Sequence, residues 1–283
     1  MSERLRVHQA CGLLAFLQAQ LQGWSRNTLK QRLQAGCVSV NGSSVTRHDF
    51  ALVAGDEVEV SSTAKKGLPI STSLKILYED PHLIAIDKPA GLLSVGNDQE
   101  TQRHALALLR HQLLRSSPSV KLFPVHRIDR DTSGVLLFAT SRETREAIMA
   151  RWDAAEKTYV AVVEGCPDPS HGTIDQPLHM DEKEYRMHVG PHPEAKTAIT
   201  HYETEQTVGG RSLVRVQLET GRQHQIRAHM AWMGCPVVGD PRYGTAGPRL
   251  GLHALRLRIA LPGGDRKLVF EAPIPKDFRA LLK

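Results

Sequence analysis

The sequence predicts an α+β protein, in which a small α/β unit precedes a larger unit built on a mixed, largely antiparallel sheet. Segments with β-branched residues or alternating polarity outnumber helical segments in residues 74–283. The stretch 61–73, SSTAKKGLPISTS, is rich in turn residues and lacks apolar periodicity. A chain of 283 residues can form one large domain or two. We therefore predict domains at 1–62 and 74–283, joined by a linker over 63–73.

Two helices and then short strands are predicted in the small unit. Apolar residues recur at roughly helical spacing between Val7 and Leu21. Ser25 is a suitable N-cap for a second helix over RNTLKQRLQAG, which ends at Gly36. The segments CVSVNG and AGDEVEV combine turn signals with apolar alternation, which is typical of short strands.

Strands separated by a few helices are predicted in the larger unit. It begins with two apolar strands within 74–95, which are split by Asp80-Pro81 and followed by the turn DKPAG. Further strands are predicted from β-branched content or alternation at 135–140, 159–165, 212–220, 253–259 and 267–273. Helices are predicted at 101–115, 141–152 and 223–233.

The stretch HRIDRDTSGVLLFAT, residues 126–140, brings two arginines and two aspartates to the start of an apolar strand. A Thr-Ser-Gly turn places these charges at the mouth of that strand. Charges at such a place are costly unless they are paired, and a nearby guanidinium favours the ionised form of a carboxylate. Arg127 and Arg130 are local candidates for the partner of Asp129, although a solvated loop also explains the cluster.

A second motif, ETGRQHQIRAHMAWMGCPVVGDPRYG at 219–244, supplies a distant candidate partner. Helical spacing of its apolar residues places His224 and Arg227 in or near a helix's first turn, where anions are favoured. His224 and His229 are five residues apart, which on a helix points them to different faces. We therefore predict no metal site there.

Composition limits the compartment and the partners. The formal net charge of +6 favours a polyanionic partner. The four cysteines lie far apart with no Cys-x-x-Cys pair, so neither a disulfide framework nor a zinc site is predicted. The N-terminal apolar stretch is too short to span a bilayer. We expect a soluble, cytoplasmic protein that does not bind membranes.

Three segments in order, HRIDRDTSGVLLFA, KTYVAVVEG and TGRQHQIRAHMAWMGCPVVGDPRYG followed by LHA, resemble the motifs of the RluA-type pseudouridine synthases. The resemblance covers nearly the whole chain, and the one conservative departure is Ile128 where Leu is usual. It implies isomerisation of uridine to pseudouridine in RNA without a cofactor or a metal.

Residues 4–60 resemble the S4 RNA-binding domain, which often precedes such catalytic domains. The resemblance implies that Arg26, Lys30 and Arg32 on the second helix contact RNA phosphates, whereas a solvated helix face explains the same charges without RNA. Arg6-Val7 is a departure, because S4 domains often carry Asp after this first arginine and leucine.

The resemblance also assigns roles in the larger unit. Asp129 matches the catalytic aspartate, and Arg127 matches an arginine that helps to hold the RNA after the target base leaves the helix. Tyr159 matches a tyrosine that stacks on the uracil, although an ordinary aromatic on a strand face also fits this position. Arg227 matches the arginine that pairs with the catalytic carboxylate, and Ile226 the apolar residue that packs beside it.

Several alternatives remain open on the sequence. The substrate is expected to be large-subunit (23S) ribosomal RNA, with transfer RNA as the alternative, and the protein is expected to be a monomer. A noncatalytic RNA-binding or ribosome-assembly protein would use Asp129 and Arg227 only as a structural ion pair. A uridine-directed glycosidase would release free uracil from an extruded nucleotide.

Four further residues have simpler explanations. Lys88, in the KPAG segment, fits a family motif and a structural turn equally well. Lys196 and Thr200 follow a family pattern, but an exposed strand pair explains them adequately. Asp131 is expected to cap the turn rather than to form a carboxylate pair with Asp129.

Overall fold

The computed structural model describes residues 2–21, 23–34, 37–41, 43–45, 50–61, 73–97, 100, 103–114, 120–261 and 267–283. The chain divides into two compact units, 1–71 and 72–283. Apart from Ser73, the predicted linker 63–73 lies outside the described residues. The predicted domain bounds therefore stay a prediction.

The first unit combines two helices with short antiparallel strands. Its elements are β1 Ser2–Arg6, β2 Cys11–Gly12, α1 Leu13–Gln20, α2 Arg26–Gln34, β3 Val38–Val40, β4 Ser43–Ser44, β5 Ala51–Leu52 and β6 Glu57–Ser61. The Ser25 hydroxyl accepts a hydrogen bond from the Thr28 amide at 3.1 Å, which confirms the predicted start of α2. Leu13, Leu29 and Val58 belong to one buried core. The predicted end of α2 at Gly36 lies outside the described residues.

The second unit is built on one large sheet. Its elements are β7 Lys75–Glu79, β8 Leu83–Lys88, α3 Ala105–Leu113, β9 Phe123–Pro124, β10 Ser133–Ala139, α4 Arg142–Met149, β11 Glu156–Glu164, β12 His171–Asp175, β13 Leu178–Asp181, β14 Arg186–Val189, β15 Ile199–Val208, β16 Arg211–Leu218, α5 Gln225–Trp232, β17 Leu252–Ala260 and β18 Lys267–Glu271. Two 3-10 turns, Trp152–Ala154 and Arg279–Leu282, complete the described part.

Within the described residues, ten strands form this sheet in the order β12-β15-β16-β11-β17-β10-β8-β7, with β9 paired to β10 and β18 paired to β17. Apart from β10 and β17, which run parallel, these paired strands are antiparallel. The predicted α+β class with a mixed, largely antiparallel sheet is therefore confirmed. The hairpin of β13 and β14 stands outside this sheet, and the sequence did not predict it.

Two helices are shorter than predicted, α3 because its N-cap comes later than expected and α4 because it ends earlier. The helix predicted over 101–115 is α3, which begins after His104, whose ring nitrogen accepts a backbone hydrogen bond at 3.2 Å. Residues 101, 102 and 115 lie outside the described part of the chain. The helix predicted over 141–152 is α4, which begins after Ser141 and gives way to a 3-10 turn.

The parallel pair β10 and β17 joins two antiparallel halves of the sheet. Its register pairs Ser133 with His253 and Gly134 with Ala254. Gly134 has φ of 115°, and a Cβ on it would overlap the Ala254 carbonyl, so only glycine fits here. The loop that precedes β10 is thereby placed near β17 and β11, in the middle of the sheet.

In the described part of the chain, the helices fall short of the length and apolarity that a bilayer crossing needs.

Candidate active site

The loop 126–132 carries Asp129 to the start of β10 and is fixed by hydrogen bonds. The Ser94 hydroxyl donates to the Ile128 carbonyl at 2.7 Å and accepts from the Ile128 amide at 3.1 Å. The Thr132 amide donates to the Asp129 carbonyl at 3.2 Å and closes the turn. The Asp129 side chain remains 26% exposed, so the fold holds a solvent-accessible carboxylate in a defined position.

Lys88 ties a second turn to the same loop. Its fully buried Nζ donates to the carbonyls of Pro89 and Leu92, at 2.9 and 2.7 Å, and to the Arg130 carbonyl at 3.0 Å. Burial lowers the pKa of Lys88 to about 7, although the negative charges of Asp131 and Asp129 act in the opposite direction. Of the two interpretations of Lys88, these contacts favour the structural one.

The guanidinium of Arg227 lies beside Asp129. Its Nη1 is 3.3 Å from Oδ2 of Asp129, across 98 positions of sequence. Its Nε and Nη2 donate to the two carboxylate oxygens of Asp240 at 2.7 and 2.8 Å, and Asp240 is fully buried. The distant basic partner expected from the second motif is therefore present, and Asp240 fixes its orientation through a bidentate pair.

Charge and burial oppose each other in this cluster. Burial alone would raise the pKa of Asp240, but hydrogen bonds and the positive charge of Arg227 hold it below its usual value. Burial disfavours the charged guanidinium, yet Asp240 and Asp129 raise the pKa of Arg227 above its ordinary value. Arg227 and Asp240 therefore stay ionised together, and Nη1, the remaining nitrogen of Arg227, is directed to Asp129.

His224 lines the site beside Asp129. It precedes α5 with a left-handed φ of 52°, so α5 begins two residues after the predicted start at Gln223. Its Nε2 lies 3.9 Å from Oδ2 of Asp129, and its Nδ1 lies 3.1 Å from the Tyr243 hydroxyl. Burial, followed by the charges of nearby arginines, lowers the pKa of His224 to about 4 against the effect of Asp129. His224 is thus a neutral neighbour of the carboxylate at neutral pH.

Tyr159 and Ile226 approach the site from the sheet and from α5. Tyr159 lies on β11, where the register with β17 shifts between Thr158 and Tyr159. Burial and the negative charge of Asp129 raise the pKa of the Tyr159 phenol, which therefore stays protonated. Ile226 is buried in an apolar cluster against which half-buried Tyr159 packs. An aromatic ring and an apolar wall thus lie near the carboxylate.

The remaining predicted site residues are more exposed. Arg127 is exposed on the loop that carries Asp129. Arg26, Lys30 and Arg32 lie on α2 of the first unit, where Arg26 is exposed and the Arg32 guanidinium lies 4.4 Å from the Trp24 ring centre. Their predicted contacts with RNA stay predictions.

A buried chain of hydrogen bonds anchors α5 to β15. The side-chain amide Nε2 of Gln225 donates to the Thr200 hydroxyl at 3.0 Å, and that hydroxyl lies 2.9 Å from Nδ1 of His229. The His229 Nε2 donates to the Gln176 carbonyl at 3.0 Å. The exposed strand pair expected for Thr200 is therefore wrong, because its side chain is fully buried, whereas Lys196 is exposed. His224 and His229 serve different surroundings, as their spacing predicted.

One described cluster has the composition of a metal site. Asp181, Glu184 and His188 place one ligand atom each within 4.8 Å of one another. The Asp181 carboxylate already accepts the amides of Lys183 and Glu184 at 2.8 and 3.1 Å, which is the pattern of a capped turn. We therefore assign these side chains to the β13–β14 hairpin turn.

Three residues that complete the site had no predicted role in it. Asp240 and Tyr243 lie within the quoted GDPRYG segment, and His224 was predicted only to lie near a helix's first turn and not to bind a metal. A signal was available for Asp240, because an aspartate that closely follows the apolar pair Val237-Val238 needs a cation if the fold buries it. No sequence pattern indicated that its cation is Arg227.

A buried histidine beside the site makes stability depend on pH. His253 faces Ser133, whose hydroxyl lies 2.8 Å from its Nδ1, and burial lowers the pKa of His253 to about 4. The unfolded chain gains a proton below about pH 6.5 and the folded chain only near pH 4. The contribution of His253 to the free energy of unfolding is therefore complete above pH 6.5, and it is about 2 kcal/mol smaller at pH 5.

Urea unfolding at pH 7 and pH 5 measures this loss. His253→Gln is expected to lose about 2 kcal/mol less than wild type between the two pH values, because its side chain no longer titrates. His171→Gln, on an exposed position of β12, is the matched control and should keep the wild-type loss. Equal losses in wild type and His253→Gln would contradict the linkage.

The second unit is an α+β domain whose large sheet carries a charged site near its centre. A family model described as RNA pseudouridylate synthase matches residues 82–232. The chain belongs to this family, and it is an isomerase that acts on RNA. Family membership thus favours the isomerase over the noncatalytic and glycosidase alternatives.

Individual relatives extend the match over most of the chain. Uncharacterized RNA pseudouridine synthase YlyB of Bacillus subtilis is 33% identical over 95% of this chain and 92% of its own length. Ribosomal large subunit pseudouridine synthase D of Nitrosomonas europaea is 32% identical over 99% of this chain and 84% of its own. The solved structure of human RNA pseudouridylate synthase domain containing 4 has a TM-score of 0.61 and 25% identity, over 74% of this chain and 91% of that one.

Proposed function

We propose that Asp129 is the catalytic carboxylate of a pseudouridine synthase that modifies large-subunit ribosomal RNA. The observation that carries the proposal is the geometry of this carboxylate. Asp129 is partly exposed, and its Oδ2 lies 3.3 Å from an arginine whose other nitrogens are already bound to buried Asp240. A structural ion pair has no need of an exposed carboxylate, whereas a reacting carboxylate must be reached by substrate.

The chemistry requires an ionised carboxylate beside the sugar. Pseudouridine formation breaks the bond from N1 to C1′, turns the detached uracil and joins C5 to C1′, while C5 loses its hydrogen as a proton and N1 gains a proton. Asp129 acts either by attacking the sugar or by taking the 2′ proton, and both roles need the anionic form. Arg227 places a positive charge 3.3 Å from this carboxylate.

Two neighbours would hold the base during this rearrangement. Tyr159 offers a ring on which the uracil can stack, which is worth about 1 to 3 kcal/mol. Ile226 would offer an apolar contact to the base. Exposed Arg127 would bind the RNA backbone after the nucleotide leaves its stack. The resemblance of their motifs to those of the family, and the packing of Tyr159 against Ile226, support these roles.

The choice of RNA rests on relatives and charge. Relatives from Xanthomonas campestris, Nitrosomonas europaea and Pseudomonas aeruginosa are each 32% identical and carry the name ribosomal large subunit pseudouridine synthase D. We carry that substrate class to this chain, and we assign Arg26, Lys30 and Arg32 of the S4-like unit to the same RNA. We also propose that the protein is a monomer and that it is cytoplasmic.

Tritium release from RNA transcripts that contain 5-tritiated uridine tests the proposal. Wild-type protein should release tritium from a large-subunit ribosomal RNA transcript, because C5 loses its hydrogen when it forms the bond to C1′. Small-subunit ribosomal RNA and transfer RNA transcripts serve as matched substrates of other classes. Release from transfer RNA alone would overturn the substrate assignment, and size-exclusion chromatography of the protein checks the monomer.

A further inference from the structure

The hairpin of β13 and β14 displays an aromatic side chain. Tyr185 is 55% exposed and has a left-handed backbone φ of 50°. Bulky residues seldom adopt this backbone conformation, which persists where surrounding contacts hold it. The backbone conformation of Tyr185 is therefore unfavourable by itself, and contacts at the hairpin tip must hold it.

Arg242 holds the tip of the hairpin. Its Nη1 donates to the carbonyls of Glu184 and Tyr185 at 2.7 and 2.5 Å. Its guanidinium carbon also lies 5.3 Å from the centre of the Tyr185 ring, within the range of a cation–π contact. The ring thus lies against a cation while the residue is still more than half exposed.

Tyr185 lies at the outer edge of the candidate active site. The centre of its ring is 6.4 Å from that of His224, in an edge-to-face arrangement. His224 Nε2 is in turn 3.9 Å from Asp129. The backbone amide of Arg242 donates to Asp240 at 2.9 Å, so the hairpin tip is tied to the same carboxylate that orients Arg227.

We propose that Tyr185 forms a base-stacking subsite for the nucleobase next to the target uridine in the RNA chain. The subsite rests on the activity of the chain on RNA and on the proposed role of Asp129. Unstacked RNA bases stack on exposed aromatic rings, and an arginine beside the ring adds attraction for the adjoining phosphate. Because the Tyr185 ring lies against His224, and His224 in turn lies 3.9 Å from Asp129, a nucleotide neighbouring the uridine at Asp129 is placed to reach the ring.

Steady-state tritium release measures the contribution of the ring. Tyr185→Ala is expected to raise KM by about 5- to 150-fold, the range for one lost base stack. The kcat should change by less than about twofold, because the stack forms on binding and persists during the reaction. Tyr185→Phe should keep the wild-type KM, since it retains the ring and removes only the hydroxyl.

Trp232→Ala is the matched control. Trp232 is 54% exposed, like Tyr185, but it lies at the end of α5 opposite His224. Its removal should leave both kinetic constants unchanged. An unchanged KM in Tyr185→Ala, or a Tyr185→Phe protein as impaired as Tyr185→Ala, would overturn the subsite.

Ultraviolet crosslinking separates the subsite from the proposed function. The Asp129→Asn protein bound to the large-subunit transcript is irradiated, and peptides linked to RNA are located by mass spectrometry. A crosslink at Tyr185 supports the subsite, even if wild type releases no tritium and the proposed function fails. Absence of that crosslink in a complex that crosslinks elsewhere in the second unit overturns the subsite, whatever the activity.

Discussion

Asp129→Asn is expected to reduce pseudouridine formation by about 1000-fold or more while the protein folds and binds RNA normally. The substitution removes one negative charge and almost no volume. The amide oxygen can still accept from Arg227, and the pair between Arg227 and Asp240 is untouched. Tritium release gives the activity, and filter binding at several salt concentrations gives the affinity and the number of phosphate contacts.

Asp131→Asn is the control for this experiment. Asp131 lies on the same loop and its carboxylate is 3.5 Å from Nε of Arg130, with 47% of the side chain exposed. The same chemical change two residues away should therefore leave activity within about twofold, because an exposed ion pair contributes little. If Asp129→Asn turned over RNA as fast as this control, Asp129 would not be the catalytic carboxylate.

The motifs predicted the central elements of this fold because their residues interact locally. Alternating or β-branched segments predicted most strands of the large sheet, though not β9 or β12, and Ser25 predicted the start of α2 through its hydrogen bond to the backbone. The β13–β14 hairpin was missed because His179 to Met187 show no clear alternation of polarity, and Thr200 was misjudged because its partners, Gln225 and His229, come from distant sequence. Burial by distant elements leaves no local pattern.

In the candidate site too, the motifs predicted some residues and missed those that act through distant contacts. The family motifs led to Asp129 and Arg227, and the structure places their charged groups 3.3 Å apart. The residues that set this distance are Asp240, Lys88 and Ser94, which act through buried hydrogen bonds to backbone or guanidinium groups. Such supporting roles depend on three-dimensional closeness, so sequence spacing alone did not predict them.

Arg227→Met is expected to lower the free energy of unfolding of the second unit by about 3 to 5 kcal/mol. The fully buried Asp240 carboxylate would lose its bidentate partner and keep only the backbone amides of Arg242 and Tyr243, at 2.9 and 3.2 Å. Urea unfolding measures the loss. Activity should fall by about 100-fold or more, because Asp129 also loses its cation, whereas RNA affinity should change by less than about fivefold.

The double variant Arg227→Met with Asp240→Asn separates stability from chemistry. Replacing the Asp240 carboxylate by an amide removes the unpaired buried charge and keeps an oxygen for the two backbone donors. We expect the double variant to recover about 2 kcal/mol relative to Arg227→Met, a non-additivity typical of contacting charges. Activity should remain as low as in Arg227→Met, because the cation beside Asp129 is still missing. Recovery of activity together with stability would mean that Arg227 supports the fold alone and has no role at the carboxylate.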